Sequence, residues 1–141
     1  MNWIKDNKLV TKLPDNCFGF VYLIENITNG KKYIGKKQAF SLRKKKFGKR
    51  KLAEINDKRL KKYEMIRSES NWQHYTGSNK ELNEDIKNGA EISKTILEYA
   101  YSKAHLTYLE IKYQFMHGVI ESDNWYNSNI SGRYYPNIFE F

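Results

Sequence analysis

The chain is short of cysteine, proline and long apolar runs, and these scarcities exclude several classes of protein. Of 141 residues, one is cysteine (Cys17) and two are proline. A lone thiol rules out an internal disulfide and any zinc cluster built on several thiolates. Next to Phe18, Cys17 reads as a buried structural thiol in a reducing setting. The longest apolar stretch, Phe18 to Ile24, is far too short to span a bilayer, so no membrane partner is expected. The N-terminus reads Met1-Asn2-Trp3-Ile4-Lys5-Asp6, with an acid where the apolar run of a signal peptide should begin; a cytoplasmic protein is expected. Hydrophobic residues make up 40% of the chain, and tyrosine (11) outnumbers phenylalanine (7). That suits one domain with a core that is polar for its size.

Charge is plentiful, and its excess is of one sign and in one place. The net charge is +9. Between Lys36 and Lys62 there are 13 Lys/Arg against two acids, Glu54 and Asp57, whereas the remainder carries 12 basic and 14 acidic residues. All the excess positive charge therefore sits in one segment, the footprint expected of a polyanion-binding protein. A solvated lysine-rich linker would carry the same composition.

The local patterns predict an α/β domain: a small, mostly antiparallel three-stranded sheet flanked by helices. Residues 1–17 read as a polar lead-in. Phe18, Phe20, Tyr22 and Ile24 fall on one face of a strand and Val21 and Leu23 on the other, so that strand is central. Asn29-Gly30 is a hairpin signal because the favoured two-residue turn needs positive φ at both positions, and Lys31–Gly35 returns. From Arg50 to Arg67, good helix formers with Leu52, Ile55 and Leu60 suggest a partly helical excursion. Ser78-Asn79-Lys80-Glu81 has the form of a capping box opening a helix over 80–87, which Asn88-Gly89 closes. Ile92–Tyr99 reads as a third strand. Ser102 caps a helix ending at His117-Gly118, with Leu106, Leu109, Tyr113 and Met116 as its core face. Glu110 is rotated about 100° from Leu109 and needs a partner at the margin of that face.

Gly19-Phe20-Val21-Tyr22 and Tyr33-Ile34-Gly35, with Arg43, Glu110 and Tyr126-Asn127 downstream, resemble the GIY-YIG nuclease superfamily. Within it the chain is most similar to small GIY-YIG endonucleases of tailed bacteriophages, through Tyr33-Ile34-Gly35-Lys36-Lys37, Glu69-Ser70-Asn71-Trp72, Tyr75-Thr76-Gly77-Ser78-Asn79, Ser102-Lys103-Ala104 and Tyr108-Leu109-Glu110. The resemblance implies a nuclease domain over 18–130 with a basic insertion at about 36–67 and a tail at 131–141. It implies a DNA endonuclease using one Mg²⁺ or Mn²⁺, acting in the host cytoplasm if phage-encoded. Glu110 would be the metal ligand, because Mg²⁺ takes few protein carboxylates and keeps several waters. Arg43 would clamp a phosphate with its planar fork. Tyr22 and Tyr33 would orient or deprotonate the attacking water, and Asn127 would brace the site.

Lys36, Lys37, Lys44, Lys45, Lys46, Lys49, Arg50 and Lys51 would meet the nucleic-acid backbone. The resemblance departs at GFVY, a loose GIY, and at Phe47, where many relatives carry a titratable group. His74 and Tyr75 are the auxiliary candidates for that missing proton transfer. Two readings compete with a DNA endonuclease: a nucleic-acid-binding module that has lost turnover, and an RNA-directed nuclease. One active site cuts one strand, so both monomer and homodimer remain open.

Overall fold

In the computed structural model, which describes residues 2–141, the elements in chain order are β1 (Trp3–Lys5), β2 (Lys8–Leu9), β3 (Gly19–Asn26), β4 (Lys32–Gln38), β5 (Phe40–Lys46), α1 (Lys49–Glu54), β6 (Tyr63–Glu69), α2 (Lys80–Lys87), β7 (Ile92–Ala100) and α3 (Lys103–Met116). Apolar on both faces, β3 lies inside the sheet between β7 and β4, antiparallel to both. On one side Phe20, Tyr22 and Ile24 pack with Trp3, Trp72 and Leu82; on the other Val21 packs with Ile34, Leu106 and Leu109 of α3. Opposite Val21 and Tyr22 the ladder slips: Val21 pairs with Glu98 and Tyr22 with Ile96, so Leu97 is one extra residue, a β-bulge.

The sheet has five strands in the order β2-β1-β7-β3-β4, with β1 parallel to β7, rather than three mostly antiparallel ones. The extra strands come from the supposed lead-in. Trp3 is buried and its indole Nε1 donates to the Trp72 carbonyl at 2.6 Å, which anchors β1. Lys5 pairs with Lys8, leaving the two-residue turn Asp6-Asn7 with φ of 51° and 64°. This is the turn with two positive φ values that the sequence pointed to at Asn29-Gly30. There, of the two residues, Gly30 alone has positive φ (80°), and Asn26 organises a wider loop, its Oδ1 accepting from the Thr28 and Asn29 amides at 2.9 and 3.2 Å.

The basic insertion is helical over less of its length than the partly helical excursion expected. One short helix, α1, interrupts a separate two-stranded sheet in which β5 pairs antiparallel with β6. Of the anticipated apolar stripe, Leu52 and Leu60 are exposed and Ile55 is half-buried. Tyr63, Met65 and Ile66 instead favour a strand when β5 is at hand to pair with. The N-cap of α2 is Asn79, whose Oδ1 accepts from the Leu82 amide at 2.9 Å, rather than Ser78. Gly89, at φ 97°, ends that helix region. Ser102 caps α3 as expected, with Oγ accepting from the His105 amide. Leu106 and Leu109 are buried and Tyr113 packs against their cluster, but Met116 is 65% exposed, and Gln114 is buried in the last turn instead.

Strand β4 forms the sheet edge next to the site, and the segment 124–127 covers it: the Lys32 amide donates to the Asn124 carbonyl at 2.9 Å and the Tyr126 amide to the Lys32 carbonyl at 2.7 Å. Covering an edge in this way blocks further strand addition.

Lys94 on β7 is 1% exposed, donates to the Gln73 carbonyl at 3.3 Å and lies 4.3 Å from the Trp3 ring centroid. Burial lowers its pKa to about 8. Its unfolded value is near ~10.4, so the unfolded chain binds the extra proton between those values. The destabilisation is full below the folded pKa and is relieved as pH rises towards the unfolded one. Lys94→Met should therefore stabilise the protein by about 2 kcal/mol at pH 7, with a gap to wild type that narrows between pH 8 and 10. Urea titrations across that range measure it; a gap independent of pH would contradict the account.

Candidate active site

The pairing of β3 with β4 sets the tyrosines. Tyr22 stands opposite Gly35 and Ile24 opposite Tyr33, so the two phenols share a face of the sheet two positions apart. Their ring centroids are 6.2 Å apart. Gly35 makes this possible: a Cβ there would lie 2.5 Å from Tyr22 Oη and 2.8 Å from Tyr33 Cε2. The loop after Trp72 closes over the pair. Tyr75 meets Tyr22 edge-on at 6.0 Å, and Lys37 Nζ sits 4.2 Å from the Tyr75 ring centroid.

Helix α3 delivers the carboxylate from the other side of the edge strand. Lys36 Nζ donates to Thr107 Oγ1 at 3.1 Å and stands 3.9 Å from Glu110 Oε1. The backbone of Ile34 is held from outside the sheet. Its amide donates to Asn127 Oδ1 at 3.1 Å, and its carbonyl accepts from Asn127 Nδ2 at 2.8 Å and from Gln114 Nε2 at 3.1 Å. Tyr33, Ser78, Glu110, Gln114 and Asn127 line a cleft of about 390 Å³.

Burial dominates the electrostatics. It pushes the Tyr22 phenol well above its ordinary value, and Tyr33, Tyr75 and Glu110 add to the rise. Tyr33 is raised for the same reason, with the Ser78 hydroxyl acting in the opposite sense. Both phenols therefore hold their protons at neutral pH and present O–H donors. Glu110 is raised by burial, with Lys36 pulling it back, and burial lowers Lys37.

Tyr22, Tyr33, Tyr75, Lys36, Lys37, Glu110 and Asn127 thus gather around the middle of β4. Arg43 does not join them. It lies exposed on β5 opposite Ile66, and among the described residues no hydrogen bond or ion pair links it to Tyr22, Tyr33 or Glu110. Lys44, Lys45, Lys46, Lys49, Arg50 and Lys51 are exposed on the same insertion. His74 faces a separate pocket beside Trp3 and Leu9. Phe47 follows β5, with Lys51 Nζ 4.3 Å from its ring centroid. Sequence reasoning missed Gln114 and the contact between Lys37 and Tyr75. Gln114 was accessible in principle, since it falls one helical turn after Glu110 and so shares its side of α3.

Among the described residues, no three His, Cys, Asp or Glu side chains converge on a metal site. One half-buried carboxylate facing a cleft lined by amide and hydroxyl groups is still compatible with Mg²⁺ or Mn²⁺, hard ions that accept oxygen donors and retain water. Glu110 is the residue that would hold such an ion.

Two tyrosines on a central hairpin, with a helix carboxylate brought to the adjacent edge, form the frame of a GIY-YIG nuclease domain. The family model described as "Putative endonuclease segE, GIY-YIG domain" matches residues 3–130, and the chain belongs to that family. Neither a curated protein nor a solved structure matches it. Among the described residues, no helix is long and apolar enough to cross a membrane.

Two measurements check the geometry. Asn127→Ala should cost about 2 kcal/mol, because it strips both backbone partners from Ile34 and leaves buried polar groups unpaired; a loss below about 0.5 kcal/mol, typical of a surface site, would contradict the brace. Carbon-detected NMR titration should place the Glu110 carboxyl above the ordinary glutamate value, and Lys36→Ala should raise it further; a fall on removing Lys36 would contradict the pairing.

Proposed function

We propose that the protein is a divalent-metal-dependent DNA endonuclease, of the kind tailed bacteriophages encode, that hydrolyses a phosphodiester held in the cleft between Tyr33 and Glu110. The observation that carries this reading is the convergence of the two phenols, Glu110 and Lys36 on one strand edge. Hydrolysis puts a water oxygen on phosphorus as that water gives up a proton to solvent, breaks the bond to the leaving oxygen, which takes up a proton, and must neutralise charge on the phosphoryl oxygens. A bound Mg²⁺ or Mn²⁺ would supply part of that neutralisation. Lys36 and Lys37 supply fixed positive charge at the same edge, a task the family resemblance gives to Arg43 and the observed placement of Arg43 does not favour.

The phenols act as donors in this scheme. Because burial keeps them protonated, they orient the attacking water and a phosphoryl oxygen rather than start as phenolate bases. Tyr75, edge-on to Tyr22, restricts that phenol's position and is a better substitute than His74 for the group absent at Phe47. Asn127 and Gln114 are positioning residues: they fix Ile34, and so the height of Tyr33 and Gly35 on either side.

Supercoiled plasmid with Mg²⁺ or Mn²⁺ should be nicked or linearised by the wild type and spared when EDTA is present. Glu110→Gln should lower the cleavage rate by about 10³-fold or more, in the range of losing a principal electrostatic group, while duplex affinity measured without metal changes less than about threefold. Intact plasmid with wild-type protein would overturn the nuclease reading, and a matched RNA cut in preference to DNA would redirect it.

A further inference from the structure

The β5–β6 insertion is a separate arm. It shares no strand pairing with the five-stranded sheet, and it closes at its base where the Ser70 amide donates to the Ala39 carbonyl at 3.1 Å. Residues 40–69 hold 12 basic and four acidic side chains, a balance of +8. Few forces favour a free-standing two-stranded ribbon in water, since it has no core on either face. An exposed ribbon of this charge gains most from a polyanion that fills its open side.

The register sorts its side chains, because residues directly opposite each other share a face. One face carries Phe40, Leu42, Lys44 and Lys46 against Glu69, Arg67, Met65 and Tyr63. Two of its three cations are engaged by rings, Arg67 at 3.8 Å from the Phe40 centroid and Lys44 at 4.5 Å from Tyr63. On the other face, the Ser41 and Ser68 hydroxyls lie 3.1 Å apart, and Arg43 and Lys45 follow opposite Ile66 and Glu64. Among the described residues Arg43 makes no hydrogen bond or ion pair there, so its five donors are available.

We infer that the β5–β6 arm is a groove-binding ribbon for duplex DNA, with the Arg43 face turned into the major groove and the remaining arm lysines on the flanking phosphates. The inference rests on the nucleic-acid reading above and adds the element and mode of binding. The B-form major groove, about 12 Å wide, admits a two-stranded ribbon, and an arginine fork matches the guanine edge presented there. The A-form RNA major groove is too narrow for side chains to read, which commits the arm to DNA. It also gives Arg43 a task in recognition, where the structure has placed it.

The test measures binding of the metal-free protein to a ~30-bp DNA duplex across salt concentrations, to the same duplex with bulky C5-alkynyl pyrimidines that fill the major groove, and to a matched RNA duplex. Two variants are compared with the wild type. One replaces Ser41–Ser68 with Asn-Gly, closing the ribbon between Phe40 and Glu69. The other is the exposed double variant Arg43→Glu/Lys45→Glu, which leaves the strands in place.

Wild type should prefer unmodified DNA over the C5-substituted and RNA duplexes by at least about tenfold. Both variants should lose about 100-fold or more at physiological salt, and deleting the ribbon should also make the salt dependence shallower, each lost phosphate contact removing about 0.9 from the slope. If either folded variant binds as tightly and with the same slope as wild type, the arm is not the binding element. If wild type holds the C5-substituted or RNA duplex as well as DNA, the groove mode is wrong. Either result alongside intact plasmid cleavage sinks the arm alone, whereas a wild type that neither binds nor cuts sinks the nuclease reading with it.

Discussion

The backbone of one residue, Ile34, holds the site together. An edge strand has one ladder of N–H and C=O groups facing away from the sheet, and these must be satisfied or left to water. Here Asn127 meets both groups of Ile34 and Gln114 adds a second donor to its carbonyl. The tail after α3 and α3 itself are thereby stitched to the same point on β4. Tyr33 and Gly35 flank that point, so the height of one phenol and the gap that admits the other are set by side chains 80 and 93 residues away in sequence. Without this stitch the edge strand would be free to shift against α3, and the distance from Glu110 to the tyrosines would not be defined.

Much of this frame was legible from the residues. The doubly apolar run Phe18–Ile24 marked a central strand, and the family's short motifs identified both tyrosines, the carboxylate of α3 and Asn127. The failures have physical causes. Strand β1 is three residues long and is followed at once by Asp6, so no periodicity reveals it; the buried Trp3 bonds through its indole to the distant Trp72, a contact that local sequence does not encode. In the insertion, helix propensity pointed one way and strand pairing the other. Lys and Arg are good helix formers, but a helix there would have had no apolar partner, and β5 offered β6 a full ladder. The spacing that singled out Arg43 counted residues along the chain, whereas the structure diverts those residues into an arm. For the same reason the proposed function gives the phosphate-facing charge to Lys36 and Lys37, which precede the diversion.

The phenols illustrate a related point about burial. A tyrosine in a central strand is a common core residue, and Tyr22 is indeed in the core: it touches Trp3 and Phe20 as well as Tyr33 and Tyr75. Core packing and chemistry are not alternatives for it. The ring is held by the aromatic cluster while Oη lies against Gly35 and Gly77, and the burial of the packed ring also keeps the hydroxyl protonated.

The bulge at Leu97 acts as a phase shifter. Ile92, Lys94 and Ile96 point to the face that carries the aromatic cluster, and unbroken alternation would send Glu98 there too. One extra residue inverts the sequence: Glu98 pairs with Val21 and faces α3, where it accepts the Tyr113 hydroxyl at 2.7 Å. The insertion keeps a carboxylate out of the aromatic core and turns it into a tether for the helix that bears Glu110. The strand's change of phase and the seating of that helix are thus a single event in the fold, and neither could be altered in a descendant sequence without the other.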